Sequence, residues 1–121
     1  MQYVSLVDAL QIVESLGFHV KDLGLLDSAL ARPSASMFGV DAYGDLESKA
    51  VALHQSLVKN HSLIDGNKRC SWLVLNVFIE LNGHQLLMTV DEGLDFTLGV
   101  AESRYDIEQA AAIIKSHLKS L

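Results

Sequence analysis

The feature that most constrains this chain is a helical stretch, Lys68–Asn82, whose apolar residues fall on nearly all sides. A helix that is apolar all round must be buried by other elements or by lipid. Its longest apolar run, Trp72–Leu81, is interrupted by Asn76 and Glu80 and is far shorter than the ~20 residues that span a bilayer. We therefore predict that this helix is the centre of a globular core, closed by the stop signal Asn82–Gly83.

Amphipathic patterns on both sides predict the helices that would cover it. We expect helices over Ser5–Leu16, Leu25–Ala31, Asp45–Asn60, Thr89–Ala101 and Asp106–Leu118. The third of these carries one apolar stripe at i, i+4, i+7 and i+11, and the fourth opens with a capping box. Few segments alternate with the period of two that marks a half-buried strand. The sequence therefore predicts an all-α fold, a compact helical bundle around one central apolar helix.

One segment between the predicted helices has the composition of a loop. Ser34–Gly44 is rich in small residues, and we predict a loop or flap there, with a short hairpin as the alternative. Gln85–Met88 is predicted as a short strand or a connection. The chain has 121 residues, no linker and a single proline, so residues 1–121 are predicted to form one domain.

The overall charge excludes several classes of function. Fifteen acidic and nine basic side chains give a net charge of −6. A general nucleic-acid binder needs a basic surface, so we expect no direct nucleic-acid partner. The single cysteine, Cys70, excludes an internal disulfide framework and a metal site built on several thiolates. Met1–Ser5 has no basic segment ahead of an apolar stretch, so we expect no signal peptide, no membrane partner and a cytoplasmic protein.

Polar groups concentrate where the apolar helix begins. A helix start leaves main-chain N–H groups unpaired and carries partial positive charge. Lys68 and Arg69 add two cations at this end, where acidic side chains are normally favoured, and a bound anion would turn that repulsion into attraction. Gly66 gives the turn before the helix its flexibility. These features predict a phosphate-binding nest, although the residues alone leave a plain helix–helix turn as an open alternative.

Two residues beside this nest have side chains suited to phosphoryl chemistry. Asp65 can hold Mg²⁺, which typically takes one or two carboxylates together with phosphate oxygens and water. His61, four residues earlier, can accept the proton of an attacking hydroxyl because the ordinary pKa of histidine lies near neutrality.

His54 is interpreted as an exposed or hydrogen-bonded histidine rather than a zinc ligand. Trp72 and Phe78 are interpreted as packing residues rather than a base-stacking platform.

The motif His61-x-x-x-Asp65-Gly66-Asn67-Lys68-Arg69 resembles the signature of the Fic/Doc family, in its Doc (death-on-curing toxin) branch, where the pattern is H-x-F-x-D-[AG]-N-K-R. Six positions agree, five of them consecutive. The flanking segments Gly24–Pro33, Tyr43–Leu46 and Glu80–Gly83 also resemble family landmarks. The similarity covers at least Gly24–Gly83, and the predicted helix order suits the rest.

The resemblance implies a role for each residue of the motif. His61 matches the catalytic histidine that activates the target hydroxyl, and Asp65 matches the magnesium-linked acid. The phosphates of ATP would be cradled by the residues that follow, Asn67, Lys68 and Arg69, with Gly66 at the small-residue position that lets the backbone approach the anion. The implied cofactors are ATP and Mg²⁺.

Lys68 separates the two branches of the family. Typical Fic enzymes have glycine there and transfer AMP, whereas Doc-type proteins have lysine and transfer the γ-phosphate. Trp72 agrees with the Doc branch, because typical Fic enzymes carry a second arginine at its position. The resemblance implies a toxin that phosphorylates a threonine of elongation factor Tu, arrests translation and is paired with a Phd-like antitoxin. The alternatives are a Fic-type AMP transferase and a catalytically silent module that binds an antitoxin or another partner.

The motif departs from the family pattern at Leu63, where phenylalanine is usual. The family side chain is expected to pack beneath the motif loop. Leu63 keeps that apolar role with less volume, so we expect it to be buried under the loop.

Overall fold

The computed structural model describes all 121 residues and is built mainly from six α-helices. The helices are α1 (Leu6–Ser15), α2 (Leu23–Ala31), α3 (Leu46–Asn60), α4 (Asn67–Leu81), α5 (Val90–Ala101) and α6 (Ile107–Ser116). The prediction of an all-α helical fold is therefore confirmed. None of these helices combines the length and the apolar character needed to cross a bilayer.

Four very short strands form two antiparallel pairs. Strands β1 (Ser36–Met37) and β2 (Val40–Asp41) make a hairpin, which confirms the hairpin alternative for the predicted flap. Strand β3 (His84–Leu86) pairs with β4 (Leu118–Ser120) at the end of the chain.

The prediction that the last helix reaches Leu118 is wrong, since α6 ends at Ser116. The main-chain groups beyond that point pair instead with β3 and with Leu87, the residue after it. The carbonyl of His117, for example, accepts from the N–H of Leu87 at 2.8 Å. No local pattern signals this end, because the partner strand lies far earlier in the chain, before both α5 and α6.

Side-chain caps explain where most of the helices begin. Five helices follow a residue whose side-chain oxygen accepts an N–H of the first turn: Ser5, Asp22, Asp45, Thr89 and Asp106. Thr89 forms the predicted capping box with Glu92. Helix α4 is the exception, because it follows Gly66, which has no side chain to accept such a bond. The first turn of α4 is therefore left open to another acceptor.

Helix α3, rather than α4, is the most enclosed helix of the fold. It packs against α2, α4, α5 and α6, and nine of its 15 residues are buried, compared with six of 15 in α4. The sequence pattern favoured α4 because α3 carries polar residues, and the structure buries three of these: Lys49, His54 and Ser56. A pattern of apolar residues does not reveal polar side chains that are buried together with their hydrogen-bond partners.

Two cationic side chains tie the flap segment to α3. Lys49 is only 2 % exposed, and its Nζ donates to the carbonyl oxygen of Pro33 at 3.1 Å and pairs with the Asp41 carboxylate at 3.3 Å. The Nε of Arg32 donates to the hydroxyl of Tyr43 at 3.0 Å, and its Nη1 donates to the hydroxyl of Ser56 in α3, also at 3.0 Å. These contacts hold the base of the hairpin, while its tip is exposed.

Candidate functional site

The motif loop connects α3 to α4 and begins at His61 in a left-handed conformation, with φ of 51°. A short main-chain ladder fixes the loop to the segment between α1 and α2. The Ser62 carbonyl accepts from the N–H groups of Lys21 and Asp22 at 2.7 and 3.0 Å, and the N–H of Ile64 donates to the carbonyl of His19 at 3.1 Å. The loop is therefore held by backbone from a distant part of the sequence.

Asn67 closes the loop on itself. Its Oδ1 accepts from the N–H of Leu63 and its Nδ2 donates to the Leu63 carbonyl, both at 3.1 Å. The amide is thus engaged at both ends, while the main-chain N–H of Asn67 and the second N–H of its Nδ2 have no partner in the chain. The phosphate-binding role predicted for Asn67 stays a prediction.

Leu63 is buried beneath the loop, as its apolar role in the motif predicts. It packs in a small cluster with Val13 and Cys70. Burial raises the pKa of the Cys70 thiol, and the neighbouring charge of Arg69 opposes this only in part. Cys70 is therefore an ordinary buried thiol.

Gly66 is required at the turn for two reasons. Its φ is 80°, a left-handed conformation that side chains disfavour. A Cβ at this position would also approach the ring of Phe18 to 2.5 Å. Phe18 lies on the N-terminal side of the ladder and had no signal in the sequence. The close approach of ring and backbone sets the shape of the turn that leads into α4.

The first turn of α4 combines free donors with uncompensated positive charge. The N–H groups of Asn67, Lys68 and Arg69 have no hydrogen-bond partner within the chain. The side chains of Lys68 and Arg69 are exposed and form no ion pair. An anion bound here would accept hydrogen bonds from these N–H groups. It would also be attracted by the helix dipole and by the two cationic side chains.

His61 and Asp65 are both exposed beside this turn. The His61 side chain makes no hydrogen bond within the chain, so it is free to meet a substrate hydroxyl. One oxygen of Asp65, Oδ1, accepts from the N–H of Gly66 at 2.8 Å. The chain has no group of three or more metal-ligating side chains. A single carboxylate suits Mg²⁺ that is shared with phosphate oxygens rather than enclosed by protein.

The interpretation of His54 as an exposed or hydrogen-bonded histidine is wrong about its exposure and holds for only one of its two ring nitrogens. His54 is completely buried, and its Nε2 lies 3.2 Å from the hydroxyl of Thr97, while Nδ1 has no partner. Burial lowers the pKa of His54 to about 3. The ring stacks on Phe96 and meets the edge of Trp72, so it connects α3 with α4 and α5.

A cavity of about 420 Å³ opens beside the first turn of α4. Its walls are Lys68, Arg69 and Trp72 from α4 and Val90, Gly93, Leu94 and Thr97 from α5. Phe78 is fully buried, as predicted for a packing residue, whereas Trp72 is half-buried and lines this cavity. No pattern in the sequence indicated the cavity, because one wall comes from α5 and owes its shape to a glycine.

Comparison with known proteins agrees with this fold and this motif loop. Residues 3–79 match the model of the Fic/DOC family. The chain is also 48 % identical over 95 residues to the protein named Toxin Doc of Mycolicibacterium smegmatis, covering 77 % of this chain and 73 % of that protein. The chain therefore belongs to the Fic/Doc family. The matched region contains the whole motif from His61 to Arg69.

Proposed function

We propose that this chain is the toxin of a toxin–antitoxin pair and that it acts as a Mg²⁺-ATP-dependent protein kinase. One observation carries the proposal: the uncapped first turn of α4, with Lys68 and Arg69 unpaired, stands beside an exposed His61. Membership of the Fic/Doc family and the similarity to a protein named Toxin Doc support the toxin role.

The proposed reaction moves one phosphoryl group. The oxygen of a target hydroxyl attacks the γ-phosphorus of ATP, a new P–O bond forms, and the bond from the γ-phosphorus to the bridging oxygen breaks, so that ADP leaves. His61 takes the proton of the hydroxyl as general base. The N–H groups of the first turn of α4, together with Lys68 and Arg69, stabilise the negative charge on the phosphoryl oxygens.

Asp65 is the residue that would hold Mg²⁺. Its Oδ1 is oriented by the N–H of Gly66, and its second carboxylate oxygen has no partner in the chain. Bound with phosphate oxygens, the ion would neutralise charge on the nucleotide.

Lys68 favours transfer of the γ-phosphate over transfer of AMP. The side chain stands at the second position of α4, where typical Fic enzymes have glycine. A lysine adds volume and a positive charge where a pocket for an α-phosphate would otherwise form. We therefore assign this chain to the kinase branch of its family.

The proposed protein substrate is a threonine of elongation factor Tu, and its modification would arrest translation. The proposed partner is a Phd-like antitoxin that covers the site. Both assignments rest on the match of His61–Arg69 to the Doc signature. Growth arrest on expression of the chain, relieved by co-expression of the antitoxin, is the expected behaviour in cells.

The test is incubation of the pure chain with Mg²⁺, elongation factor Tu and ATP labelled at either the α- or the γ-phosphate. We expect the γ-label alone to reach a threonine of the factor. Transfer of the α-label would instead identify an AMP transferase. If neither label reaches the factor and expression of the chain in cells does not arrest growth, the chain would be a catalytically silent partner-binding module.

A further inference from the structure

We propose that Ser103, in the turn between α5 and α6, is a positioning residue for His61 and acts through Lys59. The inference rests on the proposed function, because it concerns the placement of the proposed general base. Lys59 lies two residues before His61, in the last turn of α3, and its Nζ donates to the hydroxyl oxygen of Ser103. Ser103 therefore ties the end of the helix that presents His61 to a turn far along the chain.

The backbone of Ser103 is strained. Its φ is 57°, in the left-handed region that the Cβ of every residue except glycine disfavours. Only two other non-glycine residues have a left-handed backbone, namely His61 and Phe38, which lies at the tip of the flap hairpin. Strain of this kind persists where the surrounding structure enforces it, and it is concentrated at functional sites. We therefore looked for what Ser103 contributes that glycine would not.

Two hydrogen bonds at the end of α5 impose the left-handed conformation. The N–H of Arg104 donates to the carbonyl of Gly99 at 2.8 Å. The N–H of Ser103 donates to the carbonyl of Val100 at 3.1 Å. This pair of bonds is a common helix stop, in which glycine is the preferred residue at the left-handed position. Glycine would thus make the same main-chain bonds with less strain, and the hydroxyl is what serine adds.

The turn that carries Ser103 is itself anchored by its neighbours. The guanidinium of Arg104 pairs with the carboxylate of Asp95, in α5, at 3.1 Å. The ring of Tyr105 stacks on the buried ring of Phe96, with their centroids 6.0 Å apart. The hydroxyl of Ser103 therefore has a fixed place, and a lysine bound to it is held rather than left free in solvent.

The end of α3 depends on such a tie because nothing else in the chain holds the side chain of His61. His61 follows the helix with a φ of 51° and makes no side-chain hydrogen bond, so the direction of its ring depends on the last turn of α3. On the side of α2, Nδ2 of Asn60 donates to the carbonyl of Leu25 at 3.4 Å. The bond from Lys59 to Ser103 is the tie towards α5, and it is charge-assisted.

Two substitutions of Ser103 separate positioning from stability. Ser103→Gly removes the hydroxyl and relieves the backbone, so its free energy of unfolding should be no lower than that of the intact chain. Ser103→Asn is the conservative variant, because asparagine tolerates a left-handed backbone and its Oδ1 can accept from Lys59. Neither change alters the charge beside Lys68 and Arg69, so the attraction of phosphates is preserved.

The first readout is the rate of γ-phosphate transfer from Mg²⁺-ATP to elongation factor Tu. We expect Ser103→Gly to lower kcat about fivefold and to leave the KM for ATP unchanged, because a displaced general base slows the chemical step. Ser103→Asn should restore kcat to within about twofold of the intact chain. An unchanged kcat in Ser103→Gly, or a loss that Ser103→Asn does not restore, would overturn the inference. So would a loss of kcat that accompanies a lower free energy of unfolding, which would indicate a merely structural role.

The second readout does not depend on activity. The amide NMR signals of Asn60, His61 and Ser62 report on the end of α3 in the intact chain and in both variants. We expect these signals to shift in Ser103→Gly and to return in Ser103→Asn, while the signals of the flap hairpin stay unchanged. If the intact chain transfers no phosphate, the proposed function fails, and this comparison still decides whether Ser103 positions the end of α3. Signals of these three residues that do not move in Ser103→Gly would overturn the inference.

Discussion

At the scale of single residues, Gly66 controls the shape of the motif loop. Gly66→Ala should destabilise the fold by about 1–2 kcal/mol through its left-handed backbone and by about 1–3 kcal/mol more because the new methyl group meets Phe18. Gly83→Ala is the matched control, since Gly83 has the same conformation, with φ of 79°, and no atom near its Cβ. Denaturant unfolding of both variants measures the difference.

A second pair of variants separates the two terms. In Gly66→Ala combined with Phe18→Ala the clash disappears, so the double variant should be more stable than the sum of the two single changes predicts. Equal losses of unfolding free energy in Gly66→Ala and Gly83→Ala would show that Phe18 does not constrain the turn.

The sequence could identify the polar residues of the site but not what holds them. The polar residues of the site lie close together in the sequence, so their proximity in space could be predicted directly. They are His61, Asp65, Lys68 and Arg69. Phe18 and the ladder from His19 to Asp22 come from the segment between α1 and α2, and no local pattern connects that segment with the motif loop. The double hydrogen bond of Asn67 to Leu63 likewise depends on the loop conformation.

At the scale of secondary-structure elements, the ion pair between Asp41 and Lys49 is one of the contacts that hold the flap hairpin against α3. Asp41→Ala removes the carboxylate that pairs with the buried Lys49 and should cost about 1–3 kcal/mol, because a buried ammonium loses a partner. Asp95→Ala is the matched control: it breaks an exposed pair with Arg104 and should change the free energy of unfolding very little, because water screens that pair. Amide hydrogen exchange in the hairpin should quicken only in Asp41→Ala. Equal unfolding free energies in the two variants would contradict a structural role for the Lys49 pair.

Elements with local signals could be predicted, and those set by distant partners could not. The capping box at Thr89 marked the start of α5, and Asp45 marked the start of α3. The end of α6 at Ser116 depends on the pairing of β4 with β3. The enclosure of α3 depends on buried polar partners, such as Pro33 and Asp41 for Lys49, and a hydropathy pattern does not contain these.

At the scale of the whole molecule, His54 makes the stability of the fold depend on acid. The unfolded chain takes up a proton at this histidine near pH 6.5, whereas burial keeps its folded pKa at about 3. Between these values the unfolded state binds one more proton, so the free energy of unfolding should fall by about 1.4 kcal/mol per pH unit as the pH falls. His54→Gln removes this dependence.

Unfolding of both proteins at pH 7 and pH 5 tests this prediction. The difference in stability between the intact chain and His54→Gln should shift by about 2 kcal/mol in favour of the variant at the lower pH. A constant difference would show that His54 has the same pKa in the folded and unfolded states. Carboxyl groups that titrate in the same pH range are present in both proteins, so their contributions to the pH dependence cancel in the comparison.

The charge distribution of the molecule agrees with a local anion site in an otherwise acidic protein. The net charge of −6 disfavours long-range attraction of polyanions, and Lys68 and Arg69 provide the attraction at one helix start. This contrast could be predicted from sequence, because it depends on composition and on position along the chain. The cavity between α4 and α5 could not be predicted, because it requires the packing of α5 against α4.

The central claim is that His61 acts as the general base at the start of α4. The most direct measurement is the rate of γ-phosphate transfer to elongation factor Tu by His61→Ala, with His84→Ala as control, since His84 lies beyond the far end of α4. The account predicts a fall of about 100-fold or more in His61→Ala, with ATP affinity unchanged and the control fully active. Transfer by His61→Ala at the rate of the intact chain would contradict it.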